Sequence, residues 1–294
     1  MRLAILCSPE SWYLNDLRRA AADRHELPRV EFHELASAWD GARLQVTAGA
    51  HDLADFDAIL IRTMPPGSLE QVVFRMDALA RLETMGVVTV NAPRAIETAV
   101  DKYLASAKLA AAGLTCPRIV VCQGVDDAMA AFEQLGGDVV VKPLFGGEGR
   151  GITRLQDEEL AWRAFKMLQQ WKSVLYLQEY VPHEGFDIRL LVVGDRVLGM
   201  RRVNPQDWRT NVSRVARAEP FAVDAEWVAL ARRAADAVGA SVAGVDVLPA
   251  HDGKQYVLEV NAVPGWKALA STLEIDVAAM VLHHVAALVG RKGS

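Results

Sequence analysis

Cysteine is scarce in this 294-residue chain, and the three that occur, Cys7, Cys116 and Cys122, stand in no metal-ligand spacing. An odd count without a pattern excludes a disulfide framework and a thiolate metal cluster, and fits buried structural thiols in a reducing compartment. Long apolar runs are also missing. None approaches the roughly 20 residues that a membrane-spanning helix needs. The run Met1 to Cys7 is too short for a secretion signal and meets Ser8-Pro9-Glu10 at once. There is no basic excess either: the formal net charge is -5, which argues against a nucleic acid or an anionic membrane as a partner held by bulk charge. Internal repeats and low-complexity segments are absent. These absences leave a soluble, cytoplasmic, globular chain as the expectation, long enough for about two compact units.

What is present is an alternation of short apolar runs with helical patterns. Leu3 to Cys7, Val30 to Glu34, Ala58 to Ile61 and Val87 to Val90 read as strands, with helices over Trp12 to His25 and Leu69 to Met85. That order predicts a small open α/β sheet over residues 1–95. A helical stretch from Pro93 through Lys102 to Ala112 then leads to a middle unit, residues 96–182. Its strands are predicted at Ile119 to Cys122, Asp138 to Lys142, Ile152 to Leu155 and Ser173 to Tyr180. In the last unit, residues 183–294, Phe186 to Val193 and Arg196 to Arg202 flank Gly194-Asp195, a two-residue hairpin turn. A helix follows over Asp224 to Val238, then a second hairpin and a final helix over Ile275 to Val289. The fold class is α/β, with α+β character in its later part.

The second hairpin carries the chemistry. Gly244 to Leu248 and Tyr256 to Asn261 read as paired strands, and alternate side chains of a strand share a face. Glu259 and Asn261 then point the same way, one strand-spacing from Asp246. Two carboxylates and an amide oxygen on a rigid sheet suit a magnesium ion shared with nucleotide phosphates. The competing reading is that turns favour Asp and Asn at strand ends.

Upstream groups favour the metal. Phe145 to Gly151 is rich in glycine, Gly147 and Gly149 included, and such a loop lets backbone N–H groups close on phosphate oxygens. A Walker loop needs Gly-Lys-Ser/Thr and a following helix, and a Rossmann loop needs that helix too. This loop has strands on both sides, so it reads as a flap. Lys142 ends the apolar strand before it, where a lone charge would be costly. Glu179-Tyr180-Val181 ends another strand before Pro182, an arrangement that presents backbone groups to an adenine edge. Asp187, six residues on, is placed to reach ribose hydroxyls. Six arginines, Arg189, Arg201, Arg202, Arg209, Arg214 and Arg217, crowd 29 residues of an acidic chain and point to an anion site.

In this order, the motifs resemble the ATP-grasp superfamily and, within it, the RimK-type glutamate ligases. The matching residues are Asp101-Lys102, Val141-Lys142-Pro143 with Gly146 to Gly151, Gln178-Glu179-Tyr180, Asp187-Ile188-Arg189, Arg209-Thr210-Asn211, Val242 to Asp246 and Leu258 to Gly265. The resemblance covers nearly the whole chain and implies an ATP-grasp fold behind a small pre-ATP-grasp α/β domain. It implies that Lys102, Lys142, Gly147, Gly149, Arg209 and Asn211 hold ATP phosphates, that Glu179, Tyr180 and Val181 meet adenine, and that Asp187 meets ribose. Asp246, Glu259 and Asn261 would bind a pair of Mg²⁺ ions, or Mn²⁺, with Glu259 bridging. Arg189 and Arg209 would be catalytic.

The implied reaction is ATP-dependent addition of L-glutamate to a carboxylate through an acyl phosphate, in a homo-oligomer, dimer or tetramer. The run Arg62 to Glu70 resembles ligases that tail coenzymes of one-carbon metabolism, with a tetrahydromethanopterin-type pterin or a furan cofactor as acceptor. After Asn211 the chain departs from the family's His-Arg-Gly-Gly-type run and reads Val212-Ser213-Arg214, which bears on the amino-acid pocket. Another amino-acid or dipeptide substrate pair, and a non-catalytic ATP-binding module, are the alternatives.

Overall fold

The computed structural model describes residues 1–146, 150–210 and 217–292. The chain begins with β1 (Leu3–Leu6), α1 (Trp12–Ala21), β2 (Arg29–Val30), β3 (Leu35–Trp39), β4 (Leu44–Ala48), β5 (His51–Asp52), β6 (Ala58–Ile61), α2 (Leu69–Thr84) and β7 (Val88–Val90). A parallel sheet runs in the order β2-β1-β6-β7. Every residue of β1 and β6 is buried, as helices on both faces of a parallel sheet require. The strand expected over Val30 to Glu34 stops at Val30. Glu31 and Glu34 cap each other's backbone across a 3-10 turn at Phe32–Glu34, and the chain departs into a separate antiparallel sheet, β3-β4-β5, that the sequence pattern did not reveal.

The middle unit comprises α3 (Pro93–Val100), α4 (Lys102–Ala111), β8 (Ile119–Cys122), α5 (Val125–Gln134), β9 (Val139–Lys142), β10 (Thr153–Leu155), α6 (Glu158–Gln170) and β11 (Leu175–Glu179). The helical stretch expected from Pro93 to Ala112 is two helices. Asp101 leaves the helical conformation, and its carboxylate accepts from the N–H groups of Tyr103 and Leu104 at 2.9 and 3.0 Å, starting α4 afresh. The sheet order is β10-β9-β11-β8, all antiparallel, and the glycine-rich run falls between β9 and β10 in the chain.

The last unit comprises β12 (Phe186–Val193), β13 (Arg196–Val203), β14 (Arg217–Pro220), α7 (Ala225–Val238), β15 (Val242–Pro249), β16 (Gln255–Asn261), α8 (Lys267–Leu273) and α9 (Val277–Lys292). Its strands form an antiparallel sheet in the order β14-β13-β12-β15-β16. Gly194, at φ 56°, turns the first hairpin as the sequence predicts. The helix α8 was not anticipated. Among the described residues no single helix is long and apolar enough to cross a membrane; α8 and α9 reach that composition only together, across a 115° bend.

Two hydrophobic cores join the units, and the first also takes in Ile96 and Leu109 from the helices that open the middle unit. One core mixes Ile59 and Leu79 of the first unit with Val245 and Val260 of the last, and a second mixes Leu3 and Ile5 with Val281 of α9. Phe132, Phe165 and Leu177 form a core of the middle unit alone. Asn91, 3% exposed, ties the first unit to the last: its amide donates to the carbonyls of Val242 (2.7 Å) and Ala262 (2.6 Å) and accepts from the N–H groups of Ser241 and Val242. The part of the middle unit from β8 to β11 therefore forms one wall of a cleft against the five-stranded sheet.

Candidate active site

Three neighbouring strands bring Arg189, Asp246 and Glu259 into one cross-strand row, since Arg189 of β12 opposes Asp246 of β15 and Asp246 opposes Glu259 of β16. Directly opposed residues of a sheet share a face. Asn261, two residues beyond Glu259, lies on that face and donates to Glu259 Oε1 at 3.1 Å. The paired register then slips between Asp246 and Val247, so that Val247 faces Val257. This β-bulge breaks the alternation: Leu258 and Glu259 both line the cleft, while Val257 and Val260 both enter the core.

Asp246 is 3% exposed and accepts from Arg189 Nη1 at 2.7 Å and from Arg202 Nη2 at 3.0 Å. Burial alone would raise its pKa, but the two guanidinium groups outweigh it and hold the carboxyl at about 2. Glu259 has burial and the Asp246 charge acting together, and both push its pKa up. Arg202 also grips Asp187 with two hydrogen bonds of 2.7 and 2.8 Å, and the Thr210 hydroxyl donates to the same carboxylate. Asp187 is only 1% exposed.

The middle unit supplies the opposite wall. Lys142 ends β9 with its Nζ donating to Gln178 Oε1 on β11 at 2.8 Å. Burial lowers its pKa to about 8, against the pull of Glu259. Lys102, the first residue of α4, donates to the carbonyl of Gly146 at 2.8 Å, which fastens it to the glycine-rich segment; burial lowers its pKa too. At the end of β11 the Glu179 carboxylate turns away to Arg118, accepting from its Nε at 2.6 Å and its backbone N–H at 2.7 Å. The backbone N–H groups of Glu179 and Tyr180 are bonded to Arg118 and Asp138. That of Val181, a residue 7% exposed, donates to no group among the described residues. A buried backbone donor without a partner calls for a ligand acceptor. The Tyr180 ring lies beneath the Arg154 guanidinium and beside Trp208.

Between the walls is a cleft lined by Lys142, Tyr180, Val181, Asp187, Asp246 and Glu259, with Ile152, Leu248 and Leu258 as apolar surface. Its mix of apolar lining with a few convergent charges suits a small molecule. The residues 99–285 match the model of the RimK-like ATP-grasp domain, and residues 1–96 that of the RimK PreATP-grasp domain. The chain belongs to the RimK-like ATP-grasp family.

As a family member it is an ATP-dependent ligase. A tetrahydromethanopterin:alpha-L-glutamate ligase of Methanosarcina acetivorans is 32% identical, over 95% of this chain and 97% of its own length. A probable alpha-L-glutamate ligase of Rhodopirellula baltica is 31% identical, over 98% of this chain and 72% of that one. Among solved structures, the RimK domain ATP-grasp protein of Sphaerobacter thermophilus superposes with a TM-score of 0.75 at 25% identity, covering 97% of this chain and 99% of that chain. The ATP-grasp ligase PsnB complexed with its minimal precursor shares the fold, with a TM-score of 0.78 at 22% identity over 97% and 98% of the two chains.

Of the residues singled out in the sequence of this RimK-like ligase, Lys142, Tyr180, Val181, Asp187, Arg209, Asp246 and Glu259 meet at the cleft, and Asn261 joins them through Glu259. Gly147, Gly149 and Asn211 lie outside the described residues. Two of these side chains are already engaged within the protein. Arg189 is 8% exposed and lies outside the cleft lining, because its guanidinium is engaged by Asp246. The Glu179 side chain is spent on Arg118, which leaves only its backbone for a base. The Arg209 guanidinium lines the cleft but is paired with Asp207 at 2.6 Å.

Arg202 went without a role in the sequence, although counting outward from Gly194-Asp195 sets it opposite Asp187. Gln178 and Thr210 also line the cleft from within the motifs quoted above, and so do His183 and Trp208, whose spacing carries no mark.

Proposed function

We infer that this ligase joins the amine of L-glutamate to a carboxylate of a coenzyme acceptor, a tetrahydromethanopterin-type pterin or a furan cofactor, with ATP and Mg²⁺. The observation that carries the reading is the row of Asp246, Glu259 and Asn261 oxygens on one sheet face, across a small-molecule cleft from the Lys142 ammonium. This donor set is all hard oxygen and suits magnesium, and the unpartnered Val181 N–H suits the edge of a base. The names of the curated relatives support glutamate and the pterin acceptor.

A carboxylate is a poor electrophile. In the proposed reaction its oxygen takes the γ-phosphoryl group of ATP and ADP leaves. The glutamate amine, having lost a proton, attacks the resulting acyl phosphate, and inorganic phosphate departs as the amide forms. Asp246, Glu259 and Asn261 would hold magnesium, as two ions with Glu259 shared between them and with Mn²⁺ as a substitute; the metal's contribution is to neutralise charge on the transferring phosphoryl group.

The protein's own groups do the rest. Lys142 and Lys102 bind phosphate oxygens, and the tether of Lys102 to Gly146 couples that contact to the flap. Residues 179–181 seat adenine on the backbone, and Asp187, already fixed by Arg202 and Thr210, lies on the ribose side. Arg209 must exchange Asp207 for substrate oxygens to act on the reacting centre. Arg189 positions Asp246 rather than touching substrate.

The test is mass spectrometry of a tetrahydromethanopterin-type acceptor, and of cell-extract acceptors, after incubation with ATP, magnesium and glutamate. A glutamyl mass gain with equimolar ADP and phosphate supports the reading. ATP hydrolysis indifferent to every amine offered would overturn it.

A further inference from the structure

Arg62 is the first residue beyond β6 and is 7% exposed. Its guanidinium lies between the rings of Tyr13 and Trp266, 4.6 and 4.2 Å from their centroids, and Nη2 donates to the carbonyl of Pro264 at 2.6 Å. Nε is buried and has no partner, and Nη1 donates to nothing among the described residues. No carboxylate pairs with it among those residues. Cys7, at the end of β1, supplies no counter-charge, because burial pushes its thiol up. A second buried guanidinium, Arg75, donates to the carbonyl of Pro65 in the same 62–75 segment at 2.9 Å and likewise has no carboxylate partner among the described residues. An isolated cation taken out of water is strongly disfavoured unless a partner compensates it. Two at one edge of an acidic chain are a local departure from its overall charge.

The position matters. In the order β2-β1-β6-β7 the chain leaves β1 to one side and returns as β6 on the other, so the carboxyl ends of β1 and β6 form the crevice where open α/β sheets take ligands. The N-terminus of α1, a ten-residue helix capped by Ser11, opens on the same edge. Pro264, held by Arg62, is three residues past Asn261, so this crevice lies within on the order of 10 Å of the metal-donor row along the chain. That spacing is the reach of one small acceptor.

We propose that Arg62, at the β1–β6 crevice, binds a non-reacting oxyanion of the acceptor, a carboxylate or phosphate group, and so selects acceptors that carry one. The inference rests on the ligase reading above for the word acceptor, but not for the anion site itself. Its test fills the nucleotide site with magnesium and a non-hydrolysable ATP analogue, then titrates glutarate and, separately, inorganic phosphate. Arg62→Met should weaken binding of the preferred probe at least tenfold, while Arg62→Lys retains part of it and nucleotide affinity stays unchanged in both.

With an acceptor that is turned over, Arg62→Met should raise the acceptor KM by a similar factor and leave the KM values of ATP and glutamate in place. Should Arg62→Met fail to fold, the ¹⁵N resonance of the Arg62 Nε–H group in the unaltered protein, assigned with Arg62→Lys, must move on adding the probe. Unchanged affinity in a folded Arg62→Met, or an unmoved resonance at saturation, would overturn the site and leave Arg62 as a clasp on Pro264. Arg62-dependent probe binding without any glutamyl product would instead overturn only the ligase reading.

Discussion

Asp246 and Glu259 face each other across β15 and β16 at the residue pair where the register slips, so a carboxylate held at about 2 stands beside one whose pKa is raised. Their environments separate them: two arginines serve Asp246, while Glu259 is buried next to its neighbour's negative charge. A divalent cation between them would relieve that repulsion. Glu259→Gln is therefore expected to lower kcat by about 10²–10³-fold, the loss seen when one charge-stabilising group is removed. It should also raise the free magnesium needed for half-maximal rate. Steady-state rates against magnesium at fixed ATP check both, and a variant with normal magnesium dependence refutes the metal role.

Gly244 makes room for Arg189. A Cβ there would stand 2.2 Å from Nη2 and 2.4 Å from the guanidinium carbon, too close for either to stay. Gly244→Ala should displace Arg189 from Asp246 and cost about 1–3 kcal/mol of stability through overpacking. Arg189→Met should cost about 3–5 kcal/mol, the loss on breaking a buried ion pair from one side. Urea unfolding measures both, and a neutral Gly244→Ala would show that the arginine is free to move.

Lys142 gives a proton-linkage prediction. Its pKa near 8 in the free protein reflects burial, and phosphate oxygens favour the charged form, so nucleotide binding should raise it and draw in a proton. The uptake should be small at pH 7, where the ammonium is already formed, and should approach about one proton near pH 9. Calorimetry in buffers of different ionisation enthalpy reads the number directly. Lys142→Arg, always charged, should abolish it; equal uptake in variant and parent would assign the proton elsewhere.

Asn91 ties the first unit to the last through both ends of its amide. Asn91→Ala leaves buried carbonyl and N–H groups of Ser241, Val242 and Ala262 unpaired, at about 1–3 kcal/mol for each group left unsatisfied. The expected result is a large fall in the unfolding midpoint, with the shared cores of the first and last units failing together. A fall below about 1 kcal/mol would show that water replaces the amide.

Much of the architecture is written locally. Period-two runs such as Phe186 to Val193, the Gly194-Asp195 turn and the apolar strand ending at Lys142 need only neighbouring residues to be read, and the structure reproduces them. The short hairpin over residues 35–48 escaped because Leu35–Trp39 buries only its first residue and shows no alternation.

The sequence by itself determined which residues carry charge and metal-donor oxygen, and that Glu259 and Asn261 share a strand face, since side-chain alternation is a property of the strand alone. The tertiary structure alone decided how those charges are spent. Arg189 serves Asp246, Glu179 serves Arg118, and Arg202 joins Asp187 to Asp246, because a pairing between distant parts of the chain depends on strand register and bulges. None of these is encoded within a few residues of the charge itself.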